Sequence, residues 1–181
     1  MDTVCAMQND RFSDAFWVPS PHFDARPNHE ISLIVIHGIS LPPGLFSPLP
    51  VLSFFQGQLD HDSAPYFDQL NGLRVSSHLV IGTDGAMYQP VAFNHSAWHA
   101  GFSEFEGRSS CNDFSIGIEL IGPEEGPFTG AQYGVLSDVC ASLCSTYHIS
   151  GENIVGHRDI ASGRKVDPGA DFDYSRVRPQ N

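Results

Sequence analysis

The sequence predicts a mixed α/β fold, with one domain over residues 1–181 and helices packed on the faces of a mixed central β-sheet. Three observations predict it. Residues 31–37 (ISLIVIH) are a β-branched run suited to a buried central strand. Residues 115–121 (SIGIELI) alternate in the manner of a second strand. Residues 129–148 place Leu136, Val139, Cys140, Leu143, Cys144 and Tyr147 at helical spacing. Strands and helices interleave without strict alternation, which points to a mixed sheet.

Taken in order, residues 1–30 read as an irregular lead-in punctuated by Pro19, Pro21 and Pro27. The strand at 31–37 stops at Gly38. A proline-rich loop (SLPPGLFSPLP) follows, and then a short helix near 51–58. Residues 75–82 and 86–90 read as a hairpin, because Thr83-Asp84-Gly85 between them is turn chemistry. The 129–148 helix has a start signal in Thr129 and Gln132, a capping-box pair. A short strand at 153–156 delivers His157, and a helical piece near 172–178 ends the chain.

Charge and composition exclude some functions. A formal net charge of −12 opposes a phosphate-backbone partner, so no nucleic acid is expected. No run of 18 apolar residues exists, so no membrane span is expected, and the first twenty residues lack the basic start and apolar run of an export signal. Cys5, Cys111, Cys140 and Cys144 form no CxxC pair, and a reduced cytoplasmic protein is the simpler reading. Lys165 is the single lysine among nine Lys and Arg residues, a position that would suit a compact ammonium rather than a guanidinium.

Five residues stand out chemically. His37 closes a buried run and shares its strand face with Leu33 and Val35, so its ring needs a carboxylate, a carbonyl or a metal. His157 ends a second short strand in the same way. Asp167 lies ten residues later, before Pro168, and two neutral imidazoles with one carboxylate are a common catalytic zinc set. Glu119, inside SIGIELI, is either a general base with raised proton affinity or the buried partner of Arg74 or Arg158. Lys165 is either an oxyanion donor beside that group or a surface lysine. Trp98 offers a plate for a sugar ring or a core side chain.

The segments VIHGISLPPG, SSHLVIGTDG, AWHAG, CNDFSIGIELIG and GHRDIASGRKVDPG occur in an order that resembles one amidase family. It includes AmpD-type 1,6-anhydro-N-acetylmuramyl-L-alanine amidases, phage T7-type lysozyme amidases and peptidoglycan recognition proteins. The resemblance runs from about residue 18 to residue 174. It implies zinc (Zn2+) at the C-terminal ends of strands, held by His37, His157 and Asp167, with Glu119 and Lys165 as catalytic residues. It further implies a groove that contacts the muramyl-peptide through Tyr66, Arg74 and Trp98. Where Ser110 stands in place of a frequent arginine, Arg108 is expected to meet the stem peptide, and Gly38 stands where asparagine is frequent.

The implied reaction is hydrolysis of the lactyl–L-alanine amide of an anhydro-muropeptide during cell-wall recycling, with an indirect effect on β-lactamase induction. The implied partner is that substrate alone, bound by a cytoplasmic monomer. The alternative is a non-catalytic peptidoglycan-binding module of the same fold. Such modules typically lose a metal ligand, and here all the positions are filled.

Overall fold

The ISLIVIH run forms the strand Leu33–Ile39, in which every residue from Leu33 to Gly38 is buried. The protein was analysed as a computed structural model that describes residues 5–179. Residues 1–4, the start of the segment read as lacking an export signal, and residues 180–181 lie outside the described residues. Leu33–Ile39 is the second strand of a six-stranded sheet in the order Ile154–Gly156, Leu33–Ile39, Ser115–Ile121, Leu79–Ile81, Met87–Gln89, Phe16–Trp17. The first four strands pair in parallel, and Leu79–Ile81 meets Met87–Gln89 antiparallel, so the sheet is mixed as predicted.

Both faces of the sheet are covered, which is why its central strands read as apolar without interruption. On one face Ile34, Ile36, Ile116 and Ile118 pack with Leu136, Val139, Cys140 and Leu143 of helix α2 (Gly130–Tyr147). The Thr129–Gln132 capping box forms at its start. On the other face, Val51, Leu52, Phe54 and Phe55 of helix α1 (Pro48–Phe55) pack with Val80 and Ile121. A further cluster joins Leu33 and Val35 to Ala100, Phe114 and Val155. Alternation along Leu33–Ile39 therefore sends Ile34 and Ile36 to α2 and His37 to the opposite face.

Four expectations shift, each for a local reason. Helix α1 begins at Pro48 rather than 51, because the Ser47 side chain accepts from the Leu49 N–H and proline suits a first turn. The ladder of the 75–82 run is confined to Leu79–Ile81, since Ser76 bonds elsewhere, its N–H to the Trp98 carbonyl and its Oγ to that of His22. The 172–178 piece is only a 3-10 turn, Tyr174–Arg176, capped by Asp173. The lead-in is structured: Phe16–Trp17 forms the sheet edge, Phe23–Ala25 pairs with His95–Ala97, and Arg26 is buried.

Arg26 is a guanidinium with only 3% exposure and, among the described residues, no carboxylate partner. It donates instead to four carbonyls, those of Phe93, Asn112, Asp113 and Ser115, at 2.8–3.1 Å. Burial lowers its pKa to about 10, so it stays charged and fastens the entry to the strand Ser115–Ile121. Arg26→Met would leave those carbonyls unpaired and is expected to cost about 3 kcal/mol or more. Thr129→Ala, which removes one helix cap, should cost about 1 kcal/mol. Urea unfolding of both variants tests that ranking.

Candidate metal centre and active site

The parallel register sets the site. Glu119 lies directly opposite His37 in the neighbouring strand, and both are buried. Ile154–Gly156 runs parallel on the other side of Leu33–Ile39, so its C-terminal end brings in His157 as the first residue of the short helix α3 (His157–Ile160). The chain then turns back, and the Arg158 N–H donates to the Asp167 carbonyl at 2.9 Å. That bond draws Asp167 beside His157.

Three ligand atoms converge there. His37 Nδ1 is 3.0 Å from His157 Nδ1, and Asp167 Oδ2 is 3.3 and 3.2 Å from those two nitrogens. His157 Nε2 faces the Ala100 carbonyl at 3.2 Å, an acceptor only, so it carries the ring proton and leaves Nδ1 with a free pair. Among the described residues, His37, His157 and Asp167 are the one group arranged to hold a metal ion. A tetrahedral ion with bonds of about 2.0–2.1 Å would set its ligands roughly 3.3–3.4 Å apart. The observed triangle has nearly those edges, and the donor types fit.

Glu119 Oε1 is 4.0 Å from His37 Nδ1. Neither Arg74 nor Arg158 pairs with it among the described residues, which removes the buried-ion-pair alternative. Burial, together with the Asp167 charge, raises the Glu119 pKa well above 4.5, against a smaller lowering by Lys165. His37, Glu119, Lys165, Asp167, Tyr66 and His99 all border one cavity of about 220 Å³.

An adjoining groove of about 460 Å³ shares Phe54 and Leu73 with that cavity, and Arg74 and Trp98 line it. Trp98 is half-buried, stacks against His22 with ring centroids 5.8 Å apart, and donates its indole N–H to Asp24 at 2.7 Å. Arg164 ties the neighbouring loops together by donating to the carbonyls of Ala100 and Phe102 at 2.8 and 2.7 Å. Arg108 borders neither space. Its guanidinium pairs with both Glu30 oxygens at 2.7 and 3.1 Å and lies over the Phe114 ring, so the structure does not bring it to the cleft. Gly38 does line the smaller cavity, and a side chain there would press on the Glu124 and Pro123 carbonyls at 2.9–3.0 Å.

The profile of the family described as N-acetylmuramoyl-L-alanine amidase matches residues 27–170. The chain belongs to that family. Among curated amidases, the 1,6-anhydro-N-acetylmuramyl-L-alanine amidase AmpD of Haemophilus influenzae is 51% identical over 91% of this chain and 90% of its own length. A crystal structure of a selenomethionine AmpD derivative superposes with a TM-score of 0.92 at 45% identity, covering 96% of this chain and 97% of that one. The amidase AmiD of Escherichia coli, solved with the substrate anhydro-N-acetylmuramic acid-L-Ala-D-γ-Glu-L-Lys, is 31% identical with a TM-score of 0.60. It matches 81% of this chain and 56% of its own. The fold expected for an amidase of this family is the fold found.

Sequence reasoning missed His78 and Arg26. His78 sits inside the apolar run SHLVI, the same signal that singled out His37, and its Nδ1 accepts the Gly117 N–H at 3.0 Å. Arg26 carries no such sequence signal.

Burial sets the pH behaviour of the metal-free amidase. Burial lowers His37 from 6.5 to about 4, and lowers His78 and His99 well below 6.5. At these positions the unfolded chain binds more protons than the folded one once pH drops below 6.5. Their stabilisation is complete above pH 6.5 and is lost as pH falls toward 4. Glu119, shifted upward, acts in the opposite sense, but it is one group against three. The urea midpoint of metal-free protein should therefore fall between pH 6.5 and 4; a rise would contradict the burial argument.

Proposed function

We propose that this chain is a zinc-dependent N-acetylmuramoyl-L-alanine amidase that hydrolyses the lactyl–L-alanine amide of 1,6-anhydro-muropeptides in peptidoglycan recycling. The observation that carries the reading is the triangle of His37 Nδ1, His157 Nδ1 and Asp167 Oδ2 beside a buried Glu119 that no arginine pairs among the described residues. The AmpD amidases at about half identity, and the anhydro-muropeptide in the AmiD complex, support the choice of substrate. Four free cysteines support a cytoplasmic location. No helix among the described residues is long and apolar enough to cross a membrane. By clearing anhydro-muropeptide, such an enzyme would keep β-lactamase induction low where that substrate is the inducing signal.

His37, His157 and Asp167 would hold the zinc, which when bound supplies Lewis acidity toward the amide carbonyl and toward water. The chain's own groups handle protons and charge. Glu119, held at raised proton affinity by burial, takes the proton of the attacking water at a carboxylate oxygen. It then returns that proton to the departing alanine nitrogen. The Lys165 ammonium stabilises the negative charge that develops on the carbonyl oxygen. Trp98 offers its ring face to the sugar, and Tyr66 and Arg74 line the path of the peptide. Water is the sole co-reactant and no covalent enzyme intermediate is required.

Incubating the purified protein with anhydro-muropeptide tests this directly. Wild type should release the anhydro-muramic acid product, lose the activity to a chelator and regain it with zinc. Glu119→Gln should lower kcat by about 10²–10⁴-fold with zinc content unchanged. Lys165→Ala should lower turnover far more than zinc content. Activity indifferent to chelation would sink the zinc mechanism, and equal losses of turnover and zinc in Lys165→Ala would make Lys165 structural.

A further inference from the structure

The turn that carries Trp98 also meets the outer nitrogens of both site histidines. The N–H groups of His99 and Ala100 both donate to Asn112 Oδ1, at 3.1 and 2.8 Å. Asn112 is held in turn, its carbonyl accepting from Arg26 and from Ser96 Oγ. From this pinned turn, the Ala100 carbonyl accepts the Nε2–H of His157, and His99 Nδ1 lies 3.0 Å from His37 Nε2. His99 Nε2 reaches Ser115 Oγ at 3.0 Å. The His99 ring fits because residue 117 is glycine; a methyl group there would overlap the ring.

An outer partner decides which imidazole nitrogen carries the proton. For His37 to present a free pair at Nδ1, its proton must sit on Nε2, and the acceptor facing that nitrogen is His99 Nδ1. The His99 proton is then on Nε2, directed at Ser115 Oγ. In this arrangement each of the two rings carries a single proton, on Nε2.

We propose that His99 is a positioning residue that accepts the Nε2–H of His37 and thereby fixes His37 with Nδ1 free for the metal. This rests on the metal reading above. A carboxylate or carbonyl is the usual outer partner of a metal-binding histidine. A neutral imidazole is a different choice, and it needs its own proton placed by Ser115. Gly117 and Ser115 thus serve the site from the same strand face as Glu119.

The full-length, zinc-loaded, ¹⁵N-histidine-labelled protein provides the first readout. A scalar coupling across the hydrogen bond between His37 Nε2 and His99 Nδ1 is expected. The second readout is zinc affinity by chelator competition. His99→Phe keeps a ring over Gly117 but has no acceptor, and should bind zinc about 10–100-fold more weakly. His99→Asn restores an acceptor oxygen near the Nδ1 position and should recover most of that loss. Gly117→Ala, which displaces the ring while leaving His99 chemically intact, should weaken zinc to a similar extent. Wild-type affinity in His99→Phe, or equal losses in the Phe and Asn variants, would overturn the proposal. Zinc uptake without the coupling overturns the positioning role alone, whereas a wild-type chain that takes up no zinc overturns the metal reading and this role with it.

Discussion

Acceptor atoms repel one another when neither a proton nor a cation lies between them, and this fold drives three of them to within 3.0–3.3 Å. No hydrophobic gain is made at that point, so the rest of the molecule must hold it in place. The holding is distributed. His37 stands on a strand buried along nearly its whole length, His157 on a short strand that runs beside it, and Asp167 on a loop stitched back by a backbone bond to Arg158. Each of the three side chains is thus fixed by contacts that stabilise the domain in their own right. A cation between the three would turn their repulsion into attraction.

The parallel arrangement explains why chemistry gathers at one edge. Strands that run the same way end at the same edge, and there His37, Glu119 and His157 emerge from three adjacent strands. Glu119 gains its raised proton affinity from the same burial that stabilises Ile118 and Leu120 on either side of it. Stability and reactivity share one cause here. Hydrophobic burial of the strand gives a carboxyl group that prefers to hold a proton.

Much of this was legible because the determining features are local in sequence. A β-branched run ending in histidine marks both strand and candidate ligand, and Thr129 with Gln132 marks a helix start whatever lies around it. His157 and Asp167 are near in sequence, so their convergence needs only one turn. The lead-in is illegible for the opposite reason. Arg26 acts on carbonyls of residues 93, 112, 113 and 115, and Phe16–Trp17 completes a sheet edge against residues 88–89. Pairings across such separations leave no periodic trace. Arg108 shows the same difficulty, since the carboxylate it pairs with, Glu30, lies 78 residues away. His99 was visible as a residue, but not its link to His37, which depends on the absent side chain of Gly117.

Arg164 lies between the two loops that border the cleft on one side. Its guanidinium holds the carbonyls of Ala100 and Phe102, while its own chain continues directly into Lys165 and Asp167. The turn that presents the indole and the loop that presents the ammonium are therefore one jaw rather than two. Their spacing is set before any ligand arrives. Accommodation of differently sized occupants falls to the opposite jaw, where Leu41, Tyr66 and Leu70 sit in a proline-rich loop and a 3-10 turn instead of on strands.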